Sequence, residues 1–155
     1  MAGTYSKAIA SAVCNYFSSK NYKYEFIEEK GILTAGFTIS GKLGSYKQYI
    51  FFHENNYQVY SVVKMNVDEA QRADVCEYLC RCNYGLKYGN FEMDMSDGQV
   101  RVKINVDCMG RDLDEAIIQK SVNFGDLILE KYGDGLLAVM FGFASPEEAY
   151  KKADS

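Results

Sequence analysis

Three observations predict an α+β fold built on an antiparallel sheet. Apolar residues recur at helical spacing near the start, middle and end of the chain. Six shorter segments rich in Tyr, Phe, Val and Ile lie between them. Turn signals join those six in pairs, and strands linked by hairpins run antiparallel. The element order is helix, four strands, helix, two strands, then helices. A length of 155 residues suits one domain spanning 1–155, and no repeat, low-complexity stretch or linker divides it.

The first helix is expected at about 4–20, where Tyr5, Ala8, Ile9, Ala12, Val13, Tyr16 and Phe17 form one stripe, with Thr4 as its N-cap. Lys30-Gly31 reads as a two-residue turn that sets Phe26 against Ala35, Tyr24 against Phe37 and Tyr22 against Ile39. Asn55-Asn56 reads as a second turn, pairing Phe52 with Val59, Phe51 with Tyr60 and Tyr49 with Val62. This second hairpin is apolar on both faces. It is either covered on both sides or leaves an aromatic face open for a partner.

The middle helix is expected at about 68–83, capped by Asp68, with Val75, Cys76, Leu79 and Cys82 buried and Gly85 as its stop. Asp97-Gly98 is a type I′ turn signal that opposes Met95 to Val100, Asp94 to Arg101, Met93 to Val102, Glu92 to Lys103 and Phe91 to Ile104. A further helix at about 112–132 is expected to end at Gly133. Residues 135–143 then read as a short buried helix capped by Asp134, or alternatively as a strand. Ser145-Pro146-Glu147-Glu148 carries a capping box with Pro at the first helical position, and opens a last helix at about 146–153.

Seventeen basic and twenty-one acidic residues leave a net charge of −4 and no dense basic cluster, which disfavours a nucleic-acid partner. The chain begins without a signal-peptide pattern, and its longest apolar stretch is far below the ~20 residues that span a bilayer. Five cysteines without framework spacing fit a reducing compartment, so the chain reads as cytoplasmic and without a membrane role.

No residue pattern identifies a reaction. Cys76-x3-Cys80-x-Cys82 could hold a thiophilic metal, but a structural zinc site wants four ligands, and core packing explains the cysteines more simply. His53, the one histidine, has no recognised nucleophile setting beside it. Asp94-x-Ser96-Asp97-Gly98 fails as a calcium loop, because Met93 and Met95 fall at ligand positions. Gly41-Lys42-Leu43-Gly44 is too short for a phosphate loop. The aromatic residues Tyr49, Phe51 and Tyr60 could form a core or homodimer seam, a groove for a protein partner, or a base-stacking platform, the last opposed by the acidic charge. No catalytic residue, metal ligand or cofactor is assigned. Tyr49, Phe51, Tyr60 and Val62 are the candidate interface.

The passage Leu79-Cys80-Arg81-Cys82-Asn83-Tyr84-Gly85-Leu86-Lys87-Tyr88-Gly89-Asn90-Phe91, followed by Asp97-Gly98 and the closing Ser145-Pro146-Glu147-Glu148-Ala149, resembles the YbjN-like family of bacterial regulators. The resemblance extends over about 5–150. The family's Leu-Asn-Arg ending of the middle helix appears here as Leu79-Cys80-Arg81-Cys82-Asn83. The resemblance implies a type III secretion chaperone-like fold, with helices on one face of a twisted antiparallel sheet, often dimeric. It implies no catalytic residues. The expected function is therefore a non-enzymatic cytoplasmic protein-binding module with a regulatory or chaperone-like role, forming a homodimer. The alternative is a small-ligand or metal/redox sensor using the cysteine-bearing helix.

Overall fold

The computed structural model describes residues 3–155. Helix α1 (Lys7–Ser19) leads into four strands, β1 (Tyr24–Ile27), β2 (Ile32–Thr38), β3 (Ser45–Phe52) and β4 (Asn56–Val63). A single 3-10 turn (Glu69–Gln71) runs into α2 (Arg72–Tyr84), followed by β5 (Asn90–Met93), β6 (Val100–Asp107), α3 (Glu115–Met140) and α4 (Pro146–Asp154). The six strands form one antiparallel sheet in the order β1-β2-β3-β4-β6-β5. The chain leaves β4 through α2, lays β5 on the far edge, and returns β6 to the interior beside β4.

Alternation on the central strands places the core. Tyr46, Gln48, Ile50 and Phe52 of β3 and Tyr57, Val59, Ser61 and Val63 of β4 are buried, while their neighbours in sequence are not. The helices cover this one face, as expected. The missing Trp is replaced by rings meeting edge to face. Phe17 of α1 meets Tyr24 at 5.6 Å, Tyr22 meets Phe37 at 5.3 Å, and Phe26 meets Phe52 at 5.9 Å.

All three hairpins are found, and each is paired two residues away from the register its turn signal predicts. Tyr24 faces Ala35 and Phe26 faces Leu33, across a Glu28–Gly31 loop. Tyr49 faces Tyr60 and Phe52 faces Tyr57, and neither Asn55 nor Asn56 takes a positive φ. Met93 faces Val100 and Phe91 faces Val102. In this last hairpin Asp97-Gly98 is not a two-residue turn but part of a longer loop. Asp94 closes it by accepting from the Gly98 N–H through its carbonyl and from Ser96 through its carboxylate. The Gly98 carbonyl accepts the Val67 N–H at 2.8 Å, so a tertiary contact sets the loop. Because the shift is two residues each time, every side chain keeps its face.

The charge pairing of the β5–β6 hairpin changes with that register. Glu92 alone faces Arg101, at 2.7 Å, and also reaches Lys103 at 3.3 Å, whereas Asp94 lies in the loop. Burial raises the Glu92 carboxyl, but hydrogen bonds from Arg101 and Lys103 outweigh it and hold the group below its usual range.

Four helix expectations are corrected. α1 is capped by Ser6, whose Oγ accepts the Ile9 N–H, and not by Thr4. Asp68 makes no side-chain cap bond, because the chain enters α2 through the 3-10 turn. Tyr78 is fully buried while Cys76 is only partly so; the inward stripe is Val75, Tyr78, Leu79 and Cys82. Gly85 does cap α2, but with φ −92°, outside the left-handed region.

The fourth correction is the largest. α3 does not stop at Gly133; it runs unbroken for 26 residues to Met140. Neither a second helix nor a strand occupies 135–143, and Asp134 does not cap but accepts the Lys42 N–H at 2.7 Å. Glycines here serve close packing. A Cβ on Gly125 would lie 2.0 Å from Ser61 Oγ and 2.6 Å from Ser61 Cβ. A Cβ on Gly135 would lie 2.3 Å from Tyr78 Oη, and one on Gly133 would meet the end of Leu43 at 2.4 Å. The last helix follows expectation, with the Ser145–Glu148 capping box in place.

Two predictions follow from the packing and the ion pairs. Gly125→Ala should destabilise the fold by about 1–2 kcal/mol, because overpacking against a fixed strand exceeds the ~1 kcal/mol gained in helix propensity. Gly133→Ala, which meets only the movable end of Leu43, should stay within about 1 kcal/mol of the parent or gain. Urea unfolding of both checks the sign; no loss in Gly125→Ala would show that Gly125 is not a contact glycine. Glu92→Gln should cost roughly 0.5–1 kcal/mol at neutral pH, since the side chain stays partly exposed and its ion pairs are screened. Its folded pKa lies below the unfolded one, so this stabilisation is present above the ordinary carboxylate range. It is lost as pH falls through the depressed value, where the parent and variant unfolding curves should converge.

Candidate functional site

The sheet face opposite the helices is assembled by register. Thr34, Tyr49, Tyr60 and Lys103 form one row across β2, β3, β4 and β6. Ile32, Phe51, Gln58 and Asn105 form the next, and Gly36, Lys47, Val62, Arg101 and Glu92 the one on the other side. Tyr49, Phe51, Tyr60 and Val62 are all half-buried there, on adjacent strands and, among the described residues, with no helix over them. The two sequence alternatives for this hairpin are thus resolved: one face is core and the other is open.

Tyr60 is the centre of this face. The Phe51 ring meets it edge-on at 5.4 Å, and the Arg101 guanidinium lies over it at 4.1 Å. Its hydroxyl donates to Gln58 Oε1 at 3.0 Å. Glu92 fixes the Arg101 guanidinium from the far side. An aromatic seam is therefore bordered by oriented cations, with Lys47 exposed beside Val62. A shallow depression of about 450 Å³ flanks Tyr49, reaching Lys23, Thr34, Lys47 and Lys64. Such a surface can bury rings, stack and pair charges. It holds no nucleophile next to a base.

The other sequence candidates are dispersed. His53 lies at a hairpin end, with Nε2 3.4 Å from Gln58 Oε1. The Asp94 carboxylate is occupied by the Ser96 N–H and hydroxyl. All five cysteines are free thiols. Burial pushes the Cys82 thiol up to about 12, and raises those of Cys14 and Cys108. Among the described residues no three His, Cys, Asp or Glu side chains converge on one point, and no helix is long and apolar enough to cross a membrane.

One feature was not foreseen. α4 folds back beside the end of α3 and leaves a groove of about 770 Å³, floored by Leu137 and Ala138 and closed by Ala149. Phe141 (54% exposed) and Phe143 (84%) stand at its lip. In the sequence these rings belong to the apolar run at 135–143, which signals burial. Only the unbroken α3 carries them past the core.

The comparisons with known proteins agree with this architecture. The YbjN family model, described as "putative bacterial sensory transduction regulator", matches residues 10–138. Among solved structures, the chain is similar to the crystal structure of YbjN, "a putative transcription regulator from E. coli", with a TM-score of 0.59. That match covers 86% of this chain and 90% of that one at 10% identity, so it speaks for the fold. No curated protein matches the chain. With the family model spanning most of the sequence and the same sheet-and-helix arrangement in a solved relative, the chain belongs to the YbjN family.

Proposed function

We propose that this chain is a non-enzymatic regulatory module of the bacterial cytoplasm. It binds protein through the open face of its sheet, a homodimer partner included. The observation that carries the reading is the half-buried seam of Tyr49, Phe51, Tyr60 and Val62 on a face without a covering layer. Aromatic residues with Arg at their border are the composition enriched at protein interfaces. The family's description as a regulator supports a binding role over a catalytic one. A net charge of −4 supports a protein partner over nucleic acid, since the cations Arg101 and Lys103 are already shared with Glu92.

The test is a pair of double variants of the tagged chain, purified from its own cells and examined by sedimentation and mass spectrometry. Tyr49→Ser/Phe51→Ser should abolish a stoichiometric homo- or hetero-complex while leaving the cooperative unfolding transition in place, because both rings are only half-buried. Phe141→Ser/Phe143→Ser, on the opposite side of the molecule's core, should leave that complex intact. A complex that survives the first pair and is lost with the second would move the binding surface to the α3–α4 groove and overturn this reading.

A further inference from the structure

The cysteine-bearing helix carries a feature that neither its spacing nor the open sheet face accounts for. Cys76 Sγ lies 3.3 Å from Met95 Sδ, and the two sulfurs come from different elements: the outer stripe of α2 and the β5–β6 loop. Met95 is 54% exposed, so no core demand places it there.

The loop that presents Met95 is fixed from several sides. Arg72, one turn before Cys76, donates from Nη1 to the Met95 carbonyl at 3.1 Å and from Nε to the Val67 carbonyl at 3.2 Å. Asp94 Oδ1 holds the Ser96 N–H and hydroxyl at 2.8 and 2.6 Å, and Asp97 Oδ1 holds the Gln99 N–H at 2.9 Å. Asn66 donates to the Asp97 carbonyl. Cys80, exposed, follows Cys76 by one helical turn, where Cβ atoms stand about 5–6 Å apart. A thiol, a thioether and a second thiol therefore share one side of α2 that solvent reaches.

We propose that Cys76 and Met95, joined by Cys80, form a surface site for one copper(I) ion. Thiolate and thioether are soft donors and select this ion over the harder divalent cations. Zinc is disfavoured by the same inventory, since it wants four ligands drawn from Cys, His and carboxylate, and no such convergence exists among the described residues. On binding, the Cys76 S–H bond breaks, its proton leaves to solvent and the sulfur bonds the metal. Cys80 does the same. Met95 donates a lone pair without losing a proton, and copper remains in the +1 state. Met95, flexible and exposed, can swing to open the sulfur pair around the ion. Cys14, Cys82 and Cys108 lie on other faces or in the core and take no part.

The test is anaerobic titration of the reduced chain against copper(I) held by bicinchoninate, read from loss of the chelate's colour. The parent should withdraw one equivalent. Met95→Leu, which keeps the size of the side chain but removes the sulfur, should bind about tenfold or more weaker. Cys76→Ser should withdraw none, and Cys108→Ser should match the parent. Circular dichroism should be the same for all four, because none of the replaced side chains is fully buried. Retention of copper by Cys76→Ser, or equal affinity in Met95→Leu, would overturn the site. So would a copper-bridged dimer in sedimentation, or equally tight stoichiometric zinc binding.

Discussion

The seating of α3 on the sheet is the constraint from which the rest of the structure takes its position. At Gly125 the helix backbone comes so close to β4 that no Cβ fits above Ser61. Around that point the contact is polar. Tyr57 donates to Ser121 Oγ at 2.8 Å, and Ser121 in turn donates to the Ile118 carbonyl. Gln48 Nε2 donates to the Val122 carbonyl at 2.9 Å, and Tyr46 donates to Asp126 at 2.6 Å. Burial and this hydrogen bond push the Tyr46 hydroxyl far above its usual range, so it stays a donor. Each bond has fixed geometry, and leaving a buried polar group unpaired costs about 1–3 kcal/mol. Apolar contacts tolerate sliding; this row sets the helix's rotation and its register along the strands. Tyr78, which donates to the Tyr132 carbonyl at 2.7 Å, then positions α2 against α3 in the same way.

The fold was legible wherever one period governed it. Six strands, their pairing in hairpins and the facing of their side chains follow from period-two alternation, which survives a two-residue error in every turn. The turns themselves were misread for a physical reason. Asp97-Gly98 has the local chemistry of a tight turn, but the Asp94 side chain widens the loop from within and the Val67 N–H, distant in sequence, binds the Gly98 carbonyl. Gly133 and Gly135 have the local chemistry of a helix stop. Their partners Leu43 and Tyr78 lie far away in the chain, and no local signal distinguishes a glycine that ends a helix from one that admits a neighbour.

The same division applies to function. That Tyr49, Phe51, Tyr60 and Val62 exceed the needs of a one-faced sheet could be read from the alternation alone. That Arg101 stacks on Tyr60 could not, because β4 and β6 are neighbours only through a crossover that places β5 outside β6. The Cys76–Met95 contact was hidden by the tight-turn register, which sets Met95 opposite Val100 within the ladder and not in a loop facing α2. The exposed Phe141 and Phe143 were hidden by the false end of α3.

The open face intersperses its rings with charge, and its edges are short. The two sheet edges, β1 and β5, are four residues each, too short to template a further strand over any length. Lys103 shares a row with Tyr49 and Tyr60, Lys47, Arg101 and Glu92 share the row of Val62, and the Phe51 row carries the polar Gln58 and Asn105. The Tyr60 hydroxyl is bonded to Gln58 Oε1. A second flat apolar sheet would have to desolvate these ions without pairing them, which is unfavourable. A partner that offers a carboxylate to the exposed Lys47 and leaves the Arg101–Glu92 pair intact would meet no such cost. Under the proposed binding role, the charges that oppose indiscriminate stacking would also select the chemistry of the partner.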